Sequence, residues 1–242
     1  MPMISYAQRI GDHAARDPEH LAVTDEQRTV TRVELERIAN RIARELQARG
    51  VTTGDFVTIA LSNGVEFVAT VVACWKLGAT PQPVSSRLPK RELDAIVELA
   101  DPRVVVGVDP TDFPDRVCLP HGWQPAEDVD DAPLPDAVAN PFKAMTSGGS
   151  TGRPKLILAG GPGLIDPDAN PLLLMQLDGT HLMPGPLYHN GPFVWTITAL
   201  LAGNHVVLGG RFDAEKTLQL IDRWHPDSMY VVPTMMARIS KL

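Results

Sequence analysis

The chain has 242 residues, of which 44% are hydrophobic and 21% charged, enough for one sizeable core or two modest ones in an ordinary globular protein. Its 22 basic residues are outweighed by 29 acidic ones, giving a net charge of −7, and no Lys/Arg run exceeds two, which argues against a nucleic-acid footprint or a polybasic membrane patch. The longest apolar stretch, Val65 to Trp75, includes Glu66 and falls far short of the roughly 20 residues that span a bilayer.

The N-terminal segment MPMISYAQRIGDHAARDP lacks a basic n-region followed by an apolar h-region, so no secretory signal is expected. The two cysteines, Cys74 in an apolar helix and Cys118 in a polar loop, form neither a disulfide framework nor a metal-ligand spacing. A reducing, cytoplasmic compartment is the expectation.

In chain order, Thr31 followed by Glu34 is a capping-box pattern, and Leu35, Ile38, Ile42 and Leu46 recur at helical spacing until Gly50. Asp55 to Leu61 reads as a strand, Asn63-Gly64 as a turn, and Val65 to Leu77 as a buried helix closed by Gly78. A helix over Lys90 to Ala100, a break at Asp101-Pro102 and a strand over Arg103 to Val108 repeat the pattern. Strands alternating with helices predict parallel β-α units and an α/β fold. Between Asp109 and Pro141 come seven prolines and eight acidic residues against the single basic Arg116, a surface connection between a first α/β lobe (1–108) and a second α/β region (142–242).

In that second region FKAMT and KLILA read as strands flanking a glycine loop, followed by a looser segment to about His181. PFVWTITALLAG reads as a helix with Pro192 at its first position, NHVVLGG as a strand, and Asp213 as the cap of a helix to His225. SMYVVP is a last strand, and Thr234 opens a helix whose Met235, Met236 and Ile239 form an apolar face. That face needs a partner, either further chain or a second copy in a homo-oligomer. His13, His20, His121, His205 and His225 read as ordinary polar positions.

The loop TSGGSTGRPK (Thr146 to Lys155) opens with seven consecutive small residues, costly to order and poor at packing. As a serine-hydrolase elbow it fits G-x-S-x-G around Ser150, with Asp166, Asp168 and Asp178 and then His181 or His189 in the order Ser, Asp, His. Against this, KLILA runs at once into Gly160-Gly161-Pro162, leaving no room for the helix that backs such an elbow. As a phosphate cradle, Gly148, Gly149 and Gly152 allow close backbone approach, Ser147, Ser150 and Thr151 supply hydroxyls, and Lys155 supplies charge. It is not a Walker A sequence, since G-x-x-x-x-G-K-[ST] fits nowhere from Gly148 onward. A plain Gly/Ser surface connection is the third alternative.

Taken whole, MTSGGSTGRPKLI resembles the phosphate-binding loop of the adenylate-forming superfamily, T-S-G-(S/T)-T-G-x-P-K-G, most specifically at Gly149 to Gly152 and Pro154-Lys155. Gly148 replaces a common hydroxyl residue, and Leu156 a common glycine. CWKLGATPQPVSSRLPKRELDAIV is similar to the family's K-x-G-A region, PLYHNGPF to its P-L-x-H segment beside the acyl pocket, and VVPTMMARI to the strand and helix that follow. The resemblance covers nearly the whole chain and implies the layered β-α subdomains of the family's large N-terminal domain, incomplete at its C-terminal end.

The resemblance implies an ATP-dependent carboxylic acid–CoA ligase that forms AMP, with ATP, Mg²⁺ and coenzyme A as substrates and a small carboxylic acid as acyl donor. It assigns Ser147, Gly148, Gly149, Ser150, Thr151, Gly152 and Lys155 to the ATP phosphates, with Thr151 also at the metal, and Tyr188, His189, Asn190 and Gly191 to the acyl pocket. Trp195 is read as packing. The catalytic lysine and the adenine, ribose and hinge residues are expected beyond residue 242, so the chain alone is expected to be inactive. The PLYHNGP segment looks more like acyl- or aryl-CoA synthetases than peptide-synthetase adenylation domains, and GGSTGRPKLI also resembles ligases of bile-acid or steroid-acid type. A peptide-synthetase adenylation domain, a serine hydrolase using Ser150 and a non-catalytic nucleotide-binding lobe remain the alternatives.

Overall fold

The computed structural model describes residues 2–147, 154–168 and 175–242. Along the chain the elements are β1 (Ile4–Ser5), α1 (Tyr6–Arg16), β2 (Leu21–Thr24), β3 (Thr29–Thr31), α2 (Arg32–Ala48), β4 (Phe56–Ile59), α3 (Val65–Lys76), β5 (Thr80–Pro83), α4 (Lys90–Ala100), β6 (Val104–Val106) and β7 (Val117–Leu119). There follow β8 (Ala144–Ser147), β9 (Lys155–Leu158), β10 (Leu164–Ile165), β11 (Thr180–Met183), α5 (Asn190–Leu201), β12 (His205–Leu208), α6 (Ala214–Trp224), β13 (Ser228–Met229) and α7 (Pro233–Ile239). The protein is thus mixed α/β, as the alternation of elements predicts. Contacts group it into two compact units that interleave along the chain: Met1–Gln8, Arg37–Leu61 and Glu66–Pro167 form the first, and Arg9–Glu36, Ser62–Val65 and Asp168–Leu242 the second.

The first unit is built on a four-stranded sheet in the order β5-β4-β6-β7, parallel throughout. Val104, Val105 and Val106 are all buried, the continuous apolar run expected of a strand covered on both faces. The α4 residues Leu93, Ile96, Val97 and Ala100 recur at helical spacing and are buried. Leu93, Ile96 and Val97 pack in one cluster with Ala60, Val84 and Val105. Helix α4 ends on Asp101 in the left-handed region, whose N–H returns to the Val97 carbonyl.

The proline-rich stretch is more structured than its composition predicts. Asp109 caps a short 3-10 turn at Pro110–Asp112, and β7 adds the sheet's last strand. Farther on, Asn40 and Arg41 on α2 hold Asp131 through its carbonyl (2.8 Å) and carboxylate (2.9 Å). Two antiparallel pairs, β8 with β9 and β1 with β10, complete the unit.

In the second unit a five-stranded sheet runs β13-β11-β12-β2-β3, parallel except for β3. Strand β12 lies between β11 and β2 and is buried along its length. Where a looser segment to His181 is expected, Thr180–Met183 forms a strand with His181 fully buried. Helix α5 begins at Asn190, two residues before Pro192, so the proline takes the third position rather than the first. The final strand is only two residues long, and α7 buries none of its residues among those described.

His13 and His205 are not ordinary polar positions but buried ones: His13 Nε2 bonds the Leu201 carbonyl at 2.9 Å and His205 Nε2 the Thr24 hydroxyl at 2.7 Å. The Thr31/Glu34 box forms, with Thr31 N–H donating to Glu34 at 2.8 Å. Asp213 accepts from the Lys216 N–H at 2.9 Å and caps α6. Asp213→Ala is expected to cost about 1 kcal/mol in urea unfolding, and Asp213→Asn a small fraction of that, because asparagine caps as well as aspartate.

Candidate functional site

In sequence the glycine run falls between two strands that pair antiparallel. Strands β8 and β9 pair Ala144 with Leu158, Met145 with Ile157, Thr146 with Leu156, and Ser147 with Lys155. Ser147 and Lys155 therefore face each other where the strands end, Ser147 half-buried and Lys155 exposed. Gly148, Gly149, Ser150, Thr151 and Gly152 lie outside the described residues, and with them the metal assignment of Thr151. Because residues 155–158 form a strand rather than a helix, the backing of a nucleophile elbow is absent. Of the Asp and His candidates of the hydrolase reading, Asp178 is engaged with Arg16 and Arg32, and His181 Nδ1 with Ser228.

Strand β8 is held by side chains of the first unit, of which Trp75, Thr80 and Gln82 lie in the CWKLGATPQP stretch. Gln82 on β5 donates to the Thr146 hydroxyl at 2.8 Å and accepts from Thr58 on β4. Thr80 donates to the Pro141 carbonyl at 2.8 Å, and Trp75 Nε1 to the Phe142 carbonyl at 2.8 Å. Tyr6 meets both Trp75 and Phe142 edge-on, with ring centroids 5.3 and 5.4 Å away. Buried, satisfied polar groups of this kind hold one register firmly, since slipping would strand each of them. Lys143, just ahead of β8, is buried with its ammonium 5.4 Å from the Phe142 ring, and burial pulls its pKa below the ordinary lysine value. From Phe142 to Gly163 the sequence holds Lys143, Arg153 and Lys155 and no acidic residue.

The PLYHNGPF segment belongs to the second unit. Its first part is a turn clamped by Asn63, which donates to the Gly185 carbonyl at 2.8 Å and accepts from the Leu187 N–H at 2.9 Å. The Asn63-Gly64 pair is visible in the sequence only as a turn. Tyr188 and His189 stack obliquely with centroids 4.3 Å apart, and His189 is the exposed N-cap residue of α5. Desolvation still holds its imidazole below the usual histidine pKa. Asn190 and Gly191 open the helix, and Gly191 lies against the Tyr230 hydroxyl where a Cβ would collide. Trp195 packs between Tyr230 (5.6 Å) and His181 (6.2 Å). Tyr230 is a member of this group that no sequence pattern singles out.

Among the described residues no three His, Cys, Asp or Glu side chains cluster in a way that could hold a metal ion, and no helix is long and apolar enough to cross a membrane.

Comparison with known proteins gives the same direction as the loop. A feruloyl-CoA synthase from Amycolatopsis sp is 29% identical over 239 residues, covering 94% of this chain and 48% of that protein. An indoleacetate–CoA ligase from Aromatoleum aromaticum is 30% identical over 253 residues, covering 94% and 49%. The chain thus spans about half the length of these curated relatives. The same fold occurs in the o-succinylbenzoate CoA synthetase of Bacillus subtilis, solved with an acyl-adenylate intermediate, at TM-score 0.84 and 21% identity over 99% of this chain and 65% of that one. The profile of the AMP-binding enzymes matches residues 10–242, and the chain belongs to that AMP-binding enzyme family.

Proposed function

We propose that this chain is the phosphate-gripping part of an ATP-dependent carboxylic acid–CoA ligase that forms AMP. The observation that carries the reading is the β8–β9 hairpin, which pairs Ser147 with Lys155 at the two ends of the GGSTGRP loop. The donor set suits a polyphosphate: hydroxyls, glycine backbone and three cationic side chains, with no carboxylate from Phe142 to Gly163 to repel it.

MgATP, when bound, would supply an activated adenylyl group: a carboxylate oxygen bonds to the α-phosphorus as pyrophosphate leaves. Ser147, Ser150 and Thr151 offer hydroxyls to the β- and γ-phosphates, and Thr151 is also the candidate metal ligand. Gly148, Gly149 and Gly152 let backbone N–H groups approach the same oxygens. Lys155 contributes a positive charge where negative charge accumulates on the leaving group. Tyr188, His189, Asn190 and Gly191 form the wall offered to the acyl group. The named relatives act on feruloyl and indoleacetate groups, which supports an aromatic carboxylic acid as substrate, with coenzyme A as the final acceptor. Two further readings stand beside this one: a cytoplasmic location, and self-association through the α7 face that exposes Met236.

About four charge-assisted bonds at ~1.5 kcal/mol each give the loop roughly 6 kcal/mol, a Kd on the order of 0.1 mM. Titration calorimetry on the purified chain is expected to find ATP affinity of that order, with tripolyphosphate competing. Lys155→Ala should weaken ATP about tenfold; unchanged affinity in that variant would remove the hairpin from the site. Turnover belongs to the whole protein, and we expect no carboxylate-dependent ATP–pyrophosphate exchange from the 242-residue chain alone. Joined to the second half of a feruloyl-CoA synthase, the chain is expected to support exchange with aryl acids. Exchange confined to steroid acids would move the substrate class, and exchange confined to amino acids would make it a peptide-synthetase domain. Fluorophosphonate labelling of Ser150 would instead establish a hydrolase.

A further inference from the structure

The second unit contains a cavity of about 20 Å³ whose wall includes Ile10, Leu35, His13, Arg32, Gly203 and Asn204. That volume admits one water-sized particle. Two of the lining side chains bring a buried donor with no hydrogen-bond acceptor among the described residues, Arg32 Nη1 and Asn204 Nδ2. Both residues are nearly inaccessible, at 5% and 2% exposure. Arg32 Nη2 is used, donating to Asp178 at 2.5 Å and to the Gly203 carbonyl, while Nη1 lies 3.8 Å from Asp17, beyond hydrogen-bond reach. The Asn204 amide oxygen is likewise used, by the Gly179 N–H at 2.9 Å.

Two donors, one of them on a cationic side chain, are left needing an acceptor. A water molecule would bring two hydrogens of its own, and the nearest main-chain acceptors each already receive a bond. The Leu200 carbonyl receives the Gly203 N–H, and the Leu201 carbonyl receives both Arg9 and His13. Arg9, Arg16 and Arg32 surround His13, which stays neutral at pH 7 with its pKa lowered to about 4, chiefly by burial. Of these guanidinium groups only Arg32 is deeply buried, and among the described residues its Nη1 has no acceptor nearer than Asp17 at 3.8 Å. Gly203 sits at φ +80° in the turn between α5 and β12, where a Cβ would meet the Asp178 carboxylate at 2.5 Å and crowd His13 and Arg32 at 2.9 and 3.0 Å.

We propose that this cavity binds a single monatomic anion of the halide class, held by Arg32 Nη1 and Asn204 Nδ2. The anion accepts from both donors, needs no donor of its own, and ties the first turn of α2 to the α5–β12 turn.

The test is thermal unfolding of the 242-residue chain at pH 8 and constant ionic strength, in chloride, bromide or gluconate, the last too large to enter. Chloride and bromide are expected to raise Tm saturably, by about 2–4 °C at several times Kd. Asn204→Asp keeps the oxygen that receives Gly179 and supplies a carboxylate in place of the ion, so it should abolish the halide dependence. A bromide-soaked crystal reads the site without any variant, through an anomalous peak within hydrogen-bond distance of both nitrogens. Equal Tm in all three salts, an unchanged halide response in Asn204→Asp, or a water without anomalous signal in the cavity would each overturn the proposal.

Discussion

Acidification from pH 6.5 to 4 is expected to unfold the protein, with a stability loss that steepens as three histidines come into play. His13, His181 and His205 are buried, and in each the pKa is lowered from 6.5 to about 4, with desolvation of the imidazolium as the leading cause. Arg9, Arg16 and Arg32 add to the penalty at His13, with Asp178 opposing them. His20 adds to it at His205, beside Thr24 and Trp224, while His181 faces Ser228 and Trp195.

Folded pKa values below the unfolded ones mean that the unfolded chain binds these protons first. The stabilisation is therefore complete above pH 6.5 and is lost as pH falls toward 4. Each histidine contributes about 3 kcal/mol over that window, so the three together rival the whole stability of a typical domain, about 5–15 kcal/mol. Urea midpoints measured at half-unit steps should fall steeply below pH 6. His205→Gln, which can keep a bond to Thr24, should remove about one third of the limiting slope. Stability that stays level from pH 7 to 4.5 would show these rings to be protonated in the fold or accessible to water.

The second large effect is expected from Trp75→Ala. Trp75 is 1% exposed, the largest of the fully buried side chains, and it both fills the first unit beneath β8 and holds the Phe142 carbonyl. Truncation leaves a cavity, an orphaned carbonyl and an unsupported Tyr6 ring, for a loss of about 4 kcal/mol. In a chain of this size that corresponds to a Tm drop of about 8–16 °C. Trp75→Phe keeps most of the volume and loses the N–H, so it isolates the hydrogen bond at about 1 kcal/mol. If the alanine variant unfolds normally but binds ATP tenfold more weakly, the residue acts on the loop through β8 rather than through global stability.

Much of the fold was legible because its helices obey local rules. The box at Thr31 and Glu34, the Lys90–Ala100 periodicity and the Asp213 cap are short-range signals, and each element formed where they point. Strand β11 was hidden because THLM carries a histidine in a strand buried on both faces, where no polar alternation remains to be read. Strand β7 is three residues inside an acidic, proline-rich stretch, and only its pairing with β6 makes it a strand. The candidate site divides in the same way. The glycine run is a contiguous word in the sequence. Gln82, Thr58, Asn63 and Tyr230 act through contacts between residues far apart in the chain, and no single-sequence period encodes those.

The place of β12 in the second sheet sets an order of events during synthesis. Val206 pairs with Val23 and Val207 with Thr24, so β2 leaves the ribosome about 180 residues before the strand that covers it. At roughly 5–20 residues per second this is a wait of about 10–40 s. Throughout it the β2–β3 hairpin presents one uncovered, apolar edge, which can pair with another nascent chain. Slow translation should therefore lower the soluble yield of this protein, and a chaperone that shields strand edges should restore it.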